Sequence, residues 1–190
     1  MRLQTRTTIV LVMAHLTASV EYGLHCLVWL VRTGEAALSS RDLADLQGVS
    51  PSFVAKIFPK LEKAGIVAAS EGLRGGYRLA KPADQINFLD IIDAIEGPKP
   101  IFDCQNVRHR CALFDQAPPS WATQGVCSIH AVILAAERAM RAELGKHSLA
   151  DLAAASAAEA PAHFAGDVQA WIDDRVTHRT ARARDRPPDG

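Results

Sequence analysis

The sequence predicts a mainly α-helical chain with a small β wing, arranged as a winged helix-turn-helix head followed by a long dimerisation helix. Three observations carry that expectation. Two short capped helices are joined by a tight Gly-Val turn, a glycine-rich hairpin follows them directly, and a late amphipathic helix carries more apolar stripe than one small head can cover.

The second helix of the pair is the stretch around which the chain is organised. Ser50 is placed to cap it and Pro51 suits the first helical position, where a missing N–H costs nothing. Val54, Ile57, Phe58 and Leu61 recur at helical spacing and define a buried stripe, leaving Ser52, Phe53, Lys56, Lys60 and Lys63 outward or on its margin. Gly65 closes the helix. Upstream, Ser39 starts a helix with Leu43, Ala44 and Leu46 inward and Gly48 at its exit, which completes a helix-turn-helix. Downstream, Ile66-Val-Ala-Ala-Ser and Tyr77-Arg-Leu are strand-like runs around Glu71-Gly-Leu-Arg-Gly-Gly, the expected wing, carrying Arg74.

The flanking elements follow from periodicity. Leu24, Leu27, Val28, Leu30 and Val31 define a core helix ending at Gly34, and Cys26 within it reads as a small buried hydrophobe with no chemistry assigned. Asn87 caps a helix through Phe88, Leu89, Ile91, Ile92 and Ile95 that stops at Gly97-Pro98. Ile129, Val132, Ile133, Ala136, Ala139, Met140 and Leu144 form the long stripe of the dimerisation helix, and Ser148 starts one more short helix. The expected organisation is an extension over 1–18, a head over 19–97, a sensor loop over 98–127, the dimerisation helix and a short helix over 128–158, and a disordered tail over 159–190.

Composition bounds the function. The 190 residues allow one good core, and a formal net charge of zero means that nucleic-acid affinity must come from local clustering of cations. Arg2, Arg6 and the apolar run from Ile9 to Ala14 imitate a signal peptide, but the run is too short to span a bilayer, so no membrane partner is expected. No nucleophile elbow, phosphate loop or paired catalytic carboxylates occur, which argues against an enzyme. A winged-helix adaptor that binds protein instead of DNA is the remaining alternative.

The loop carries the chemistry. Cys104, Cys111 and Cys127 with His130 give C-x6-C-x15-C-x2-H, a set that can hold zinc or an iron–sulfur cluster, or serve as a thiol–disulfide switch without metal. The uneven cysteine spacing is unlike a secreted disulfide framework and fits a reducing, cytoplasmic compartment. For the three cysteines to hold one cluster across the long gap, 113–125 must fold back as a closed loop, with Pro118-Pro119 and Gly125 as turning points.

Several of these motifs together resemble the Rrf2 family of winged-helix regulators, whose members include iron–sulfur and nitric oxide sensors. The resemblance rests on Gln47-Gly-Val-Ser-Pro-Ser-Phe, Leu61-Glu-Lys-Ala-Gly-Ile-Val, Gly72-Leu-Arg-Gly-Gly-Tyr-Arg-Leu, Ile91-Ile-Asp-Ala-Ile-Glu-Gly and the cysteine loop with its final Cys-x-x-His. It implies a homodimeric regulator binding double-stranded promoter DNA, with a 2Fe–2S cluster on Cys104, Cys111, Cys127 and His130. The DNA-facing set is then Ser50, Ser52, Phe53, Lys56, Lys60 and Arg74, with Arg74 taking the wing's minor-groove contact.

Overall fold

The computed structural model describes residues 16–34, 36–70, 75–115 and 117–184. Helix α1 (Ala18–Thr33) is capped by the Thr17 hydroxyl, which accepts from the Ser19 N–H. Thr17 also donates through its backbone N–H, at 3.3 Å, and its hydroxyl to the Glu96 carboxylate, which Lys99 holds from the other side at 2.8 Å. These bonds keep the Glu96 carboxyl below the usual carboxylate range despite the opposing effect of burial. Residues 16–18, assigned to the extension, thus belong to the fold, and the remainder of the extension lies outside the described residues.

Helices α2 (Ser40–Gln47) and α3 (Pro51–Lys63) form the helix-turn-helix. A capping box starts α2, with the Asp42 N–H donating to the Ser39 hydroxyl at 3.1 Å and the Ser39 N–H donating back to the Asp42 carboxylate at 3.0 Å. Gly48 ends α2 in the left-handed region, at φ 69°, where a side chain would be strained. At the far end of α3 the Ile66 N–H reaches the Leu61 carbonyl at 2.9 Å around Gly65, at φ 67°. Val54, Ile57, Phe58 and Leu61 are all buried, as the periodicity predicts.

Strands β1 (Val67–Ser70) and β2 (Gly76–Leu79) pair antiparallel in the register Val67 with Leu79 and Ser70 with Gly76. Tyr77 extends the wing sideways through two backbone bonds with Leu38, at 2.8 and 3.0 Å. Gly76 is required by this contact, because a Cβ there would stand 2.4 Å from the Leu38 carbonyl. Asn87 caps α4 (Phe88–Glu96), accepting from the Asp90 N–H at 2.8 Å. The mainly helical fold with its small two-stranded sheet is therefore as expected.

The loop from Pro98 contains two short 3-10 turns, Val107–Arg110 and Ala112–Phe114, and the single-turn helix α5 (Ser120–Thr123). Helix α6 (Ser128–Leu144) follows and has no fully buried residue. It meets the head near its end, where Arg141 forms a two-pronged ion pair with Asp93 of α4 and Leu144 packs on the core. Helix α7 (Leu149–Glu159), started by a Ser148–Asp151 capping box, returns to the head with Leu149 fully buried.

The tail departs from expectation. Residues 164–184 form helix α8 (Phe164–Arg184), which folds back on the head instead of remaining disordered. Val168 and Ile172 join the core, Phe164 lies 6.2 Å from the Trp29 ring, and Arg175 pairs with Asp45 of α2 at 2.8 Å. An alanine-rich, charged stretch folds here because these few side chains recur on one face and find a ready apolar surface on α1 and α2.

Candidate DNA interface and thiol segment

The proposed reading surface begins at the first turn of α3. Ser50 makes no side-chain cap; its hydroxyl pairs with that of Ser52 at 2.8 Å, and its carbonyl accepts from the Phe53 N–H at 2.9 Å. Both hydroxyls remain exposed. Pro51 already removes one unsatisfied N–H from the helix start, so the helix forms without that cap. Phe53, expected to face outward, is half-buried with its ring edge-on to Tyr22 of α1, centroids 5.1 Å apart. It positions the start of α3 and leaves less of itself for a groove.

The lysines divide in the same way. Lys56 is exposed on the solvent face of α3. Lys60, placed in the DNA-facing set, instead donates through Nζ to the Ile95 carbonyl at 2.7 Å. It satisfies one of the last carbonyls of α4, where the helix end attracts a cation. No local pattern announces this contact, since Lys60 and Ile95 come from different helices. Arg74 lies outside the described residues, and on the wing Arg78 is exposed.

The thiol segment is closed by Arg108, whose guanidinium donates to the Gln124 carbonyl at 3.0 Å and also to that of Gly125. Gly125 turns the chain in the left-handed region, at φ 66°. Arg108 thus ties the loop back to 124–125, a contact that the spacing argument overlooked. The ring of Phe102 lies edge-on to His130, centroids 5.8 Å apart, which brings the stretch bearing Cys104 to the first turn of α6. Cys111 faces solvent between the two 3-10 turns.

All four cysteines are free thiols. Cys26 is buried, and desolvation pushes its thiol up to about 12, so it is a packing residue as its sequence context predicts. Cys127 is the N-cap residue of α6. The backbone N–H groups of His130 and Ile129, aided by Arg108, hold its thiol below the ordinary value.

The expected ligand set is not assembled within one chain. Among the described residues no three His, Cys, Asp or Glu side chains come together in a group able to hold a metal ion. Cys104, Cys111, Cys127 and His130 as arranged do not fit a 2Fe–2S cluster. The physical reason is the long gap: closing it through Arg108 leaves Cys111 on the outside of the loop. The other feature missed from sequence is Arg141 with Asp93, 48 residues apart and without a local signal.

The chain matches, over residues 16–155, the family described as Rrf2, iron-dependent transcriptional regulator. Among solved structures it is similar to CymR of B. subtilis, the global cysteine regulator, at 23% identity and a TM-score of 0.59, covering 75% of this chain and 98% of that one. T. potens IscR is similar at 24% identity and a TM-score of 0.57, covering 76% and 90%. Staphylococcus aureus CymR is similar at 25% identity and a TM-score of 0.52, covering 72% and 96%. Among the described residues no helix is long and apolar enough to cross a membrane. With the family match spanning most of its length, the chain belongs to the Rrf2 family of transcriptional regulators.

Proposed function

We propose that this protein is a homodimeric regulator that binds promoter DNA through α3 and the wing, and whose affinity for DNA is set by thiol chemistry in the segment 98–127. The observation that carries the DNA reading is the capped α2–turn–α3 unit presenting Ser52 and Lys56 to solvent. Side chains from the first turns of such a helix reach base edges, while flanking cations meet phosphates. Self-association through α6 is supported by its uncovered apolar stripe, with Ile129 68% and Val132 71% exposed.

The sensing step we favour is a disulfide between Cys104 and Cys127. The acidified Cys127 thiolate is the sulfur that a two-electron oxidant activates, and the Cys104 thiol, giving up its proton, then attacks that sulfur and displaces the reduced oxidant, which leaves the Cys104–Cys127 disulfide. The Phe102–His130 contact supports the pairing, because it holds both cysteine-bearing stretches together. A 2Fe–2S cluster is the second reading, favoured by the iron dependence in the family's description.

One experiment separates them. Protein purified without oxygen is examined for visible absorption, iron and acid-labile sulfide, then oxidised mildly and mapped for disulfides. Colourless, iron-free protein that forms the Cys104–Cys127 bond supports the thiol switch. A coloured protein with stoichiometric iron and sulfide, lost on changing Cys104, Cys111 or Cys127 to Ala, supports the cluster.

A further inference from the structure

We propose that the cavity enclosed by the last turns of α1 and α7 and the first turns of α8 binds a small organic monocarboxylate, with the Arg32 guanidinium as its anchor. Such a site is independent of the DNA and thiol readings. Most of the cavity wall lies after residue 155, where the family match ends, so membership of the family does not account for it.

Arg32 stands in the last turn of α1, and three elements fix it. Its guanidinium lies 5.2 Å from the Trp29 ring and 5.7 Å from the Phe164 ring of α8, and its Nη2 donates to the Ser156 hydroxyl of α7 at 3.0 Å. The two rings and the hydroxyl hold the guanidinium in one place. Its Nε is nevertheless buried with no hydrogen-bond partner, the one such side-chain nitrogen or oxygen among the described residues. Buried donors are nearly always matched, so an unmatched charged one on a cavity wall points to an acceptor that enters from outside.

The rest of the wall sets the class of ligand. Arg32 is the only charged residue on it. Of the polar residues there, Thr33 is engaged with the Leu30 and Ala36 carbonyls at 3.3 and 3.4 Å, and Gln169 donates to Asp173 at 2.9 Å. Arg32 therefore supplies both the charge and the unmatched donor. The start of α8 favours an anion by about half a charge while the ends of α1 and α7 each oppose it by as much, so the full charge of Arg32 decides the sign. Ala157, Ala160, Pro161, Ala165 and Val168 make the remaining surface small and apolar, which suits a short hydrocarbon body. The cavity holds about 240 Å3, below the roughly 300–1,000 Å3 of sites for drug-sized ligands, so its ligand has few non-hydrogen atoms. Inorganic phosphate would leave most of its oxygens unmatched against one free donor, whereas a carboxylate presents two oxygens and an apolar tail.

The test titrates the isotope-labelled full chain with sodium propionate at constant ionic strength and follows the Arg32 Nε–H resonance together with the backbone amides. Saturable shifts of that resonance and of the amides of Ala160 and Ala165 are expected, with half-saturation at about 1 mM or below. Propionamide, of the same size without the charge, and inorganic phosphate are each expected to bind at least about tenfold more weakly. Arg32→Lys keeps a positive charge but lacks the Nε donor, and is expected to lose about tenfold in affinity. Ala165→Leu fills the cavity from an exposed helical position with Arg32 untouched, so it is expected to abolish binding while leaving thermal unfolding of the free protein unchanged. This second variant decides the matter if the Arg32 variant fails to fold. Shifts that stay linear in propionate, propionamide or phosphate binding as tightly as propionate, or affinity like the parent's in either folded variant would each overturn the site.

Discussion

Arg141 and Asp93 form a two-pronged ion pair, with Nη1 to Oδ1 at 3.0 Å and Nη2 to Oδ2 at 2.7 Å, joining α6 to α4. This is the main polar joint between the helix that begins at Cys127 and the head that carries α3. Cys127 stands about 20 Å up the helix from it. Under the proposed thiol switch, this joint is the expected route from Cys127 to the head. Both partners are more than a third exposed, so the pair contributes at most about 1 kcal/mol to stability. Arg141→Ala is therefore expected to leave thermal unfolding nearly unchanged while shrinking the difference in operator affinity between oxidised and reduced protein. An undiminished difference would show that the signal bypasses the joint.

Lys56 and Lys60, one turn apart, are expected to behave oppositely. Lys56→Ala removes an exposed cation and should weaken DNA binding with stability changed by less than about 0.5 kcal/mol. Lys60→Ala removes the charged donor to the Ile95 carbonyl and should destabilise the fold by about 1–2 kcal/mol. Chemical denaturation and DNA titration of the two variants check the division; equal stability of both would return Lys60 to the DNA-facing set.

That division also shows what the sequence contained. The helix-turn-helix was legible because its signals are local: a Ser39–Asp42 box, glycines where φ turns positive, and an apolar stripe at 3.6 spacing. Lys60, Phe53, Arg141 and Arg108 were misjudged or missed because their partners lie on other elements. Helix α8 is a different failure. Composition argued for disorder, yet Phe164, Val168, Trp171, Ile172 and Val176 already had helical spacing, and that pattern outweighs alanine-rich composition when a partner surface exists.

Gly76 gives a prediction on the wing. A Cβ there meets backbone atoms of Leu38 and Ser39 at 2.4 and 2.8 Å, and backbone cannot move aside as a side-chain tip can. Gly76→Ala should therefore break the Leu38–Tyr77 pairing and cost about 1–3 kcal/mol. Gly23→Ala is a useful contrast, because its clash is with the Ile95 Cδ1 tip at 2.5 Å, which can rotate. A Gly76→Ala protein as stable as the Gly23→Ala protein would contradict the steric argument.

Self-association is tested on α6. Val132 is 71% exposed in the single chain, so Val132→Glu leaves the monomer fold intact but would bury an unpaired charge in a dimer formed through this stripe. Sedimentation is expected to show monomers with unfolding temperature close to that of a parent monomer, and much weaker operator binding. A dimeric Val132→Glu protein would move the interface elsewhere.

The cysteines give the last prediction through their opposite environments. Cys26 has a folded pKa of about 12 against an ordinary value of 9.0, raised by desolvation. A raised folded pKa means that stability is intact below the unfolded value and is lost as pH rises through the window from 9 to 12, by roughly 4 kcal/mol at its end. Cys26→Ala should lower stability at pH 7 by about 1 kcal/mol for the lost packing yet flatten this alkaline decline. Cys127 is shifted the other way by the N–H groups of His130 and Ile129, so more of it is thiolate at neutral pH. Alkylation of the native protein followed by peptide mapping should label Cys127 ahead of Cys104 and leave Cys26 untouched until the protein unfolds. Labelling of Cys26 at the rate of Cys127 in folded protein would contradict both assignments, because burial protects one thiol and the start of α6 activates the other.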